Sequence, residues 1–273
     1  MKKIKFYNNR FSFMEKPLLI LSVFSIPIYA LKLFDIENTD LIYTAVTVII
    51  VLSALFLNVK NLKKVKIVLF ILVLSAIFFI FCYDKIVLFL ADYSKDSPLK
   101  FGIINTLLNT FGLNDYQNYI DFTGYGGSHL INNEIVSGAV NIFKNNPGSK
   151  IVSQFLTARF LLIFSLFGFA ASMGRKNIII IIIAVIAVIT GNCTALLLAL
   201  LFLVPVYYLL VLISSFACSF VSSAVGIKLG FFHSASLFEL LVHNDNKIYA
   251  LIICVFVFCL SYYLARLVKE RVE

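Results

Sequence analysis

The chain has 273 residues, 61% of them hydrophobic and 14% charged, with a mean hydropathy of +0.97 and a formal net charge of +9. Ordinary globular chains are about 45–50% apolar and about 25% charged, so a soluble fold would leave more apolar surface than it could cover. The basic balance calls for no nucleic acid, because the cations flank apolar blocks, where cytoplasmic loops face anionic lipid.

A hydrocarbon core of about 30 Å takes about 20 helical residues, so long apolar runs read as membrane-spanning helices. Such runs occupy residues 17–34, 41–57 and 65–82, and after a more polar middle 151–173, 177–190, 196–227 and 248–264. The first follows a basic stretch, but no small-residue cleavage site comes after it, so it is expected to remain as a helix. Lys2, Lys3, Lys5, Arg10 and Lys16 precede it, and Lys60, Lys63, Lys64 and Lys66 separate the second run from the third. The first loop instead carries Asp35, Glu37 and Asp40. The positive-inside rule then places the N-terminus and residues 58–66 in the cytoplasm and residues 35–40 outside, with Arg266, Lys269 and Arg271 drawing the C-terminus inside. The expected fold is all-α, a polytopic helical membrane protein with N-terminal helices over residues 1–97 and a less regular region over 98–273.

The irregularity of that second region lies in three places. FGIINTLLNTFGLNDYQN, residues 101–118, is an apolar helix-like run interrupted by Asn105 and Asn109 and ended by a Gly-Leu-Asn-Asp turn. Residues 177–190 make a helix of only about 21 Å, too short to span comfortably, before Gly191-Asn192-Cys193-Thr194 intervenes. GIKLGFFHSASLFELL, residues 226–241, sets two glycines, a histidine, two serines and a glutamate in an apolar background. Non-helical backbone at membrane depth persists only where protein buries it or water fills a cavity, and interrupted segments of this kind point to a transporter's binding site.

Taken in order, these segments resemble the membrane (IIC) component of bacterial phosphotransferase-system sugar permeases, the glucose superfamily. GNCTALLLALLFLVPVYY from Gly191 to Tyr208 is similar to the family's Gly-Ile-Thr-Glu-Pro-Ile-Glu-Phe stretch with its later Val-Ala-Pro and Tyr. VGIKLGFFHSASLFELLV is similar to Leu-Gly-Ile-Lys-x-Gly-Phe-Thr-Phe-Ser-Ala-Gly-Leu-Ile-Asp-Tyr, in register at Gly226, Gly230, Ser234, Ala235 and Glu239. The 101–118 segment matches Tyr-Gly-Phe-Leu-Asn-Arg-Leu-Leu-Ile-Pro-x-Gly-Leu-His-His-x-x-Asn at Gly102, Asn105, Leu107, Leu108, Gly112, Leu113 and Asn118. Weaker matches are Phe143 to Pro147 and Phe167-Gly168-Phe169-Ala170-Ala171.

The resemblance implies a sugar-translocating protein of the bacterial plasma membrane, a homodimer with a shortened scaffold before the transport region, served by separate IIA and IIB phosphocarrier proteins. It implies a sugar site between the Asn114 turn and the Thr194 turn, with Asn105, Asn114, Asp115, Asn118, Thr194, His233, Ser234 and Glu239 as candidate ligands. The chain departs from the family where its chemistry resides. The catalytic glutamate falls on Thr194, the following proline on Ala195, a second glutamate on Leu197, the paired histidines on Asn114 and Asp115, and an arginine on Thr106. Asn and Thr hydrogen-bond a sugar hydroxyl but are poor bases at neutral pH, so two readings stand: sugar translocation coupled to phosphorylation by separate IIA and IIB proteins, or a non-phosphorylating relative acting as a facilitator, membrane sensor or interaction protein.

The residues also admit plainer readings. Gly-Leu-Asn-Asp is a common turn, Thr194 suits a helix N-cap, and Glu239 suits a cap or a partner for Lys228 or Lys247. Arg159, inside an apolar run, must face protein, water or an interface, because a lipid-facing charge costs several kcal/mol. No cofactor is expected. His129, His233 and His243 are too scattered for a metal site, and the five cysteines show no Cys-x-x-Cys spacing.

Overall fold

The computed structural model describes residues 7, 9–34, 39–57, 89, 93, 97–110, 112, 128–132, 134–174, 177–244 and 246–272. The protein is mostly helical. After a 3₁₀ turn over Asn9–Met14 come α1 (Glu15–Leu33), α2 (Thr39–Leu57) and α3 (Pro98–Thr110). A hairpin of β1 (Ser128–Ile131) and β2 (Glu134–Ser137) pairs Leu130 with Ile135. Then follow α4 (Ala139–Asn145), a π-helical turn (Val152–Leu156), α5 (Thr157–Ser172), α6 (Ile178–Thr190), α7 (Thr194–Leu203), α8 (Pro205–Val225), α9 (Leu237–Val242) and α10 (Lys247–Val272). The apolar run over 65–82 and the Asn114, Asp115 and Asn118 turn lie outside the described residues.

Among the described residues, four helices are long and apolar enough to cross a bilayer: Phe11–Leu33, Val152–Ser172, Pro205–Val225 and Lys247–Arg271. They are not equivalent. Protein covers 83% of the most apolar stretch of Val152–Ser172, against 22–33% for the other three, so α5 runs through the middle of the bundle and α1, α8 and α10 present apolar side chains outward. Ile213 and Phe220 on α8 and Ile252 and Phe256 on α10 are among those exposed side chains.

The apolar block over 196–227, continuous in hydropathy, is two helices in the structure. It breaks at Val204-Pro205, where Pro205 opens α8 and Val204 adopts φ −139°, ψ 67°. The ring of a proline crowds the preceding residue out of helical backbone, and its missing N–H is least costly in a helix's first turn. The ten residues of α7 before the break are almost wholly buried, at the centre of a core that takes Leu18 and Leu21 from α1, Tyr43 from α2, Leu166 from α5, Ile183 from α6 and Tyr207 from α8. A second core joins Phe101 of α3, Phe143 of α4, Phe160 of α5, Phe231 of the segment after α8, and Cys254 of α10.

Close helix contacts rest on small residues. A Cβ on Gly168 would lie 2.5 Å from the Phe258 carbonyl oxygen of α10, and one on Gly102 would lie 2.5 Å from the Ser215 carbonyl oxygen of α8. Between lipid-compatible helices, where burial of apolar surface offers little drive, such approach supplies packing, and hydroxyl pairs such as Ser165 with Ser261 at 2.8 Å add hydrogen bonds.

Candidate functional site

The helices break together. The C-terminal end of α6, the irregular segment over residues 226–236, the C-terminal half of α1, the last turn of α3 and the first turn of α5 meet around a small cleft. Helix α1 contributes Ser25, Ile28, Tyr29 and Lys32, α3 contributes Asn109, and α5 contributes Arg159. The end of α6 brings Thr190, Gly191 and Asn192, and the irregular segment brings Ser234.

The turn after α6 is built by Gly191, whose φ of +72° gives the left-handed backbone that ends a helix while its N–H returns to the Ala187 carbonyl at 2.8 Å. Asn192 Oδ1 then accepts the Thr194 N–H at 3.1 Å, which starts α7. Cys193 is the N-cap and its side chain makes no cap hydrogen bond, so Asn192 supplies the partner of the first helical N–H, and Thr194 itself is fully buried.

The 226–236 segment has no helix or strand to satisfy its backbone, and side chains substitute. Thr157 Oγ1 accepts the Leu229 N–H at 2.9 Å and donates to the Ile227 carbonyl at 2.8 Å. Thr157 follows the π-helical turn, and its own N–H reaches back to the Val152 carbonyl. Asn244 holds both polar groups of Gly230, through Oδ1 at 3.0 Å and Nδ2 at 3.1 Å. Glu239, fully buried, accepts three consecutive backbone N–H groups: that of Phe232 on Oε2, and those of His233 at 2.9 Å and Ser234 at 3.2 Å on Oε1. Ser236 accepts the Glu239 N–H at 3.1 Å, the first half of a Ser-x-x-Glu capping box whose glutamate has turned to the loop. Buried backbone donors left without partners cost about 1–3 kcal/mol each, so these side chains hold the segment in one shape.

The shaped segment is then tied to its neighbours. Ser234 Oγ donates to the Thr190 carbonyl at 2.9 Å, Tyr29 shares a hydrogen bond with Ser236 Oγ at 2.7 Å, and Ser25 shares one with Thr190 Oγ1 at 3.3 Å. Arg159 is 7% exposed, its guanidinium carbon 4.9 Å from the centre of the Phe231 ring, and α5's central position keeps that charge from lipid.

Of the residues proposed from sequence, Ser234 lines the cleft. Asn105 is buried one helical turn away, accepting from Asn109 Nδ2 at 3.0 Å, and Asn109 is the member of the pair that reaches the cleft. His233 lies beside Ser234 in the irregular segment, half-buried, with its N–H on Glu239. Asn114, Asp115 and Asn118 lie outside the described residues. The α1 contribution escaped sequence reasoning, although Ser22, Ser25, Tyr29 and Lys32 recur at helical spacing along the first apolar run and so share a face. Among the described residues no three His, Cys, Asp or Glu side chains gather as a metal site would require.

Outside the spans, His243 stacks on Phe232 at 4.0 Å, and Lys144 sits 5.2 Å over the same ring. Burial pushes the imidazole below its ordinary value of 6.5, Glu239 opposes this, and His233 and Lys144 reinforce it. The folded state thus favours the neutral ring. As pH falls below about 6.5 the unfolded chain takes up the proton first, so His243 makes stability fall with pH until the folded ring is protonated too. The melting temperature is expected to be lower at pH 5.5 than at pH 7.5, and His243→Phe is expected to shrink that difference.

Comparison with protein-family models, with characterised proteins and with solved structures finds no match to this chain.

Proposed function

We propose that the chain is a multi-pass membrane protein that binds a small hydroxyl-rich solute, a sugar or sugar derivative, in this cleft and moves it across or senses it without phosphorylating it. One observation carries the reading: polar groups from five separate stretches of an otherwise lipid-compatible chain converge on a single cleft beside two broken helices. Tyr29, Asn109, Asn192 and Ser234 offer hydroxyls and amides that both donate and accept, the groups that recognise sugar hydroxyls. The described lining holds no carboxylate or imidazole to act as a base on a hydroxyl. The motif resemblance to the IIC permeases supports the same solute class, and the charge distribution supports a cytoplasmic placement of both termini.

The test is equilibrium binding of glucose, N-acetylglucosamine, glucuronate and glucose 6-phosphate to the purified protein, followed by uptake into proteoliposomes. Binding of at least one is expected, weakened about tenfold or more by Asn109→Leu, because a buried polar partner is lost. Phosphoenolpyruvate-dependent phosphorylation with added IIA and IIB proteins is expected to be absent, and its appearance would restore the phosphotransferase reading. If none of the four compounds binds, the solute-binding reading fails.

A further inference from the structure

We infer that Tyr43 of α2 is a further solute-binding residue, its hydroxyl meeting a hydroxyl of the solute when the turn over residues 191–193 yields, and this inference rests on the solute-binding reading of the cleft. Two buried side-chain polar atoms among the described residues make no hydrogen bond, the hydroxyl oxygens of Tyr43 and of Ser219 on α8. Both residues are 0% exposed. A buried tyrosine hydroxyl ordinarily finds a partner, because one without a partner bears its desolvation cost in full. Beside a polar cleft, such a hydroxyl is suited to a partner that arrives with the solute.

Their surroundings separate the two. Ser219 lies in the contact between α3 and α8, where a Cβ on Gly102 would come within 2.4 Å of its oxygen, so a solute has no room there. Tyr43 instead lies behind the wall of the cleft. Gly191 and Asn192 line the cleft, and the next residue, Cys193, is within electrostatic reach both of Tyr43 and of Arg159, another lining residue. One turn along the same face of α2, the Thr47 side chain lies 3.1 Å from where a Cβ on Gly112 would stand, and Thr44 donates to the Gly112 carbonyl. The Gly112 N–H returns to the carbonyl of Asn109, which also lines the cleft. Tyr43 therefore backs two pieces of the lining, and each ends a helix at a glycine of left-handed backbone. The cleft is small, so a sugar-sized solute enters only as a wall moves. The 191–193 turn has no hydrogen bond to the phenol to break, and its displacement uncovers a hydroxyl that both donates and accepts. The bond then formed offsets a cost the protein already bears.

Tyr43→Phe removes one oxygen and keeps the ring, and titration calorimetry and thermal unfolding of the full-length protein in detergent test it. The probe is whichever of glucose, N-acetylglucosamine, glucuronate and glucose 6-phosphate binds the wild type. Affinity is expected to fall about tenfold in Tyr43→Phe, while the melting temperature without solute stays the same or rises, because an unpartnered buried oxygen has gone. Ser219→Ala removes the other such oxygen and is expected to leave the affinity unchanged. One monodeoxy form of the bound sugar is expected to lose affinity for the wild type but to bind Tyr43→Phe as the parent sugar does, the non-additivity of a direct contact. Affinity of Tyr43→Phe within about twofold of the wild type overturns the inference and leaves the reading of the cleft standing. A lower melting temperature without solute, or failure to fold, marks a structural hydroxyl and also overturns it. So does an equal loss of affinity in Ser219→Ala, or a loss for every deoxy form that is the same in both proteins. Binding of none of the four compounds overturns it together with the reading on which it rests.

Discussion

Gly191→Ala is expected to destabilise the protein by about 2–5 kcal/mol, before any polar group of the cleft is altered. Two costs add. The first is backbone: φ of +72° is left-handed, and placing a side chain there costs about 1–2 kcal/mol. The second is space. A Cβ on Gly191 would lie 2.6 Å from Ser234 Oγ, 2.9 Å from Ser234 Cβ and 3.0 Å from the Ala235 carbonyl carbon, so the irregular segment must retreat from the end of α6, and overpacking of this kind costs about 1–3 kcal/mol. Gly226→Ala is the control. Its φ is +70°, but nothing lies within 4 Å of the added Cβ, so only the backbone cost applies. Thermal unfolding in detergent should rank wild type above Gly226→Ala and Gly226→Ala above Gly191→Ala. Equal melting temperatures for the two variants would mean that Ser234 does not press on the end of α6.

Glu239→Gln is expected to cost about 2–4 kcal/mol and to loosen the wall of the cleft. The carboxylate accepts the N–H groups of Phe232, His233 and Ser234, whereas a glutamine of the same shape offers one acceptor oxygen and turns an NH₂ group towards donors. Hydrogen bonds to a buried charge contribute more than neutral ones, and donors stranded without a partner bear their desolvation cost in full. Amide hydrogen exchange should accelerate at residues 232–234 first, as the local opening becomes easier. Glu239→Asp keeps the charge but not the reach and should fall between the two. Because the effect requires no solute, it separates a loop-shaping glutamate from a ligand. Unchanged exchange in Glu239→Gln would make the carboxylate dispensable to the loop.

Much of this arrangement is legible residue by residue. Gly191 follows an apolar run and precedes Asn192, and it adopts the left-handed conformation that ends a helix; Gly226 adopts it too at the end of α8, although Ile227 continues the apolar run there. Ser236-Leu237-Phe238-Glu239 has the spacing of a capping box, and Ser236 does cap α9. The sequence does not say where the Glu239 side chain goes, because its backbone partners lie in a loop whose path is set by Thr157 and Asn244, distant in the chain. The same limit hides the break at Val204-Pro205. Proline at that point is compatible with a kink in one long helix or with two helices, and only the packing of α7 inside the core selects the second.

Consecutive residues alone mark the chain as helical and lipid-compatible, show which apolar runs exceed the thickness of a hydrocarbon core, and show interruptions at 191–194 and 226–241. Those are local properties, set by the hydropathy and backbone preference of consecutive residues. Only the tertiary structure decided that α5 is the covered helix and α8 and α10 are outward, that Ser25, Tyr29 and Lys32 of the first helix reach the breaks in the later ones, and that Arg159 shares a cleft with them. The physical reason is that helices apolar all round carry no stripe to tell a lipid-facing side from a protein-facing one. Which faces meet is settled by close approach at Gly102, Gly168 and Gly191 and by hydrogen bonds between residues far apart in the chain.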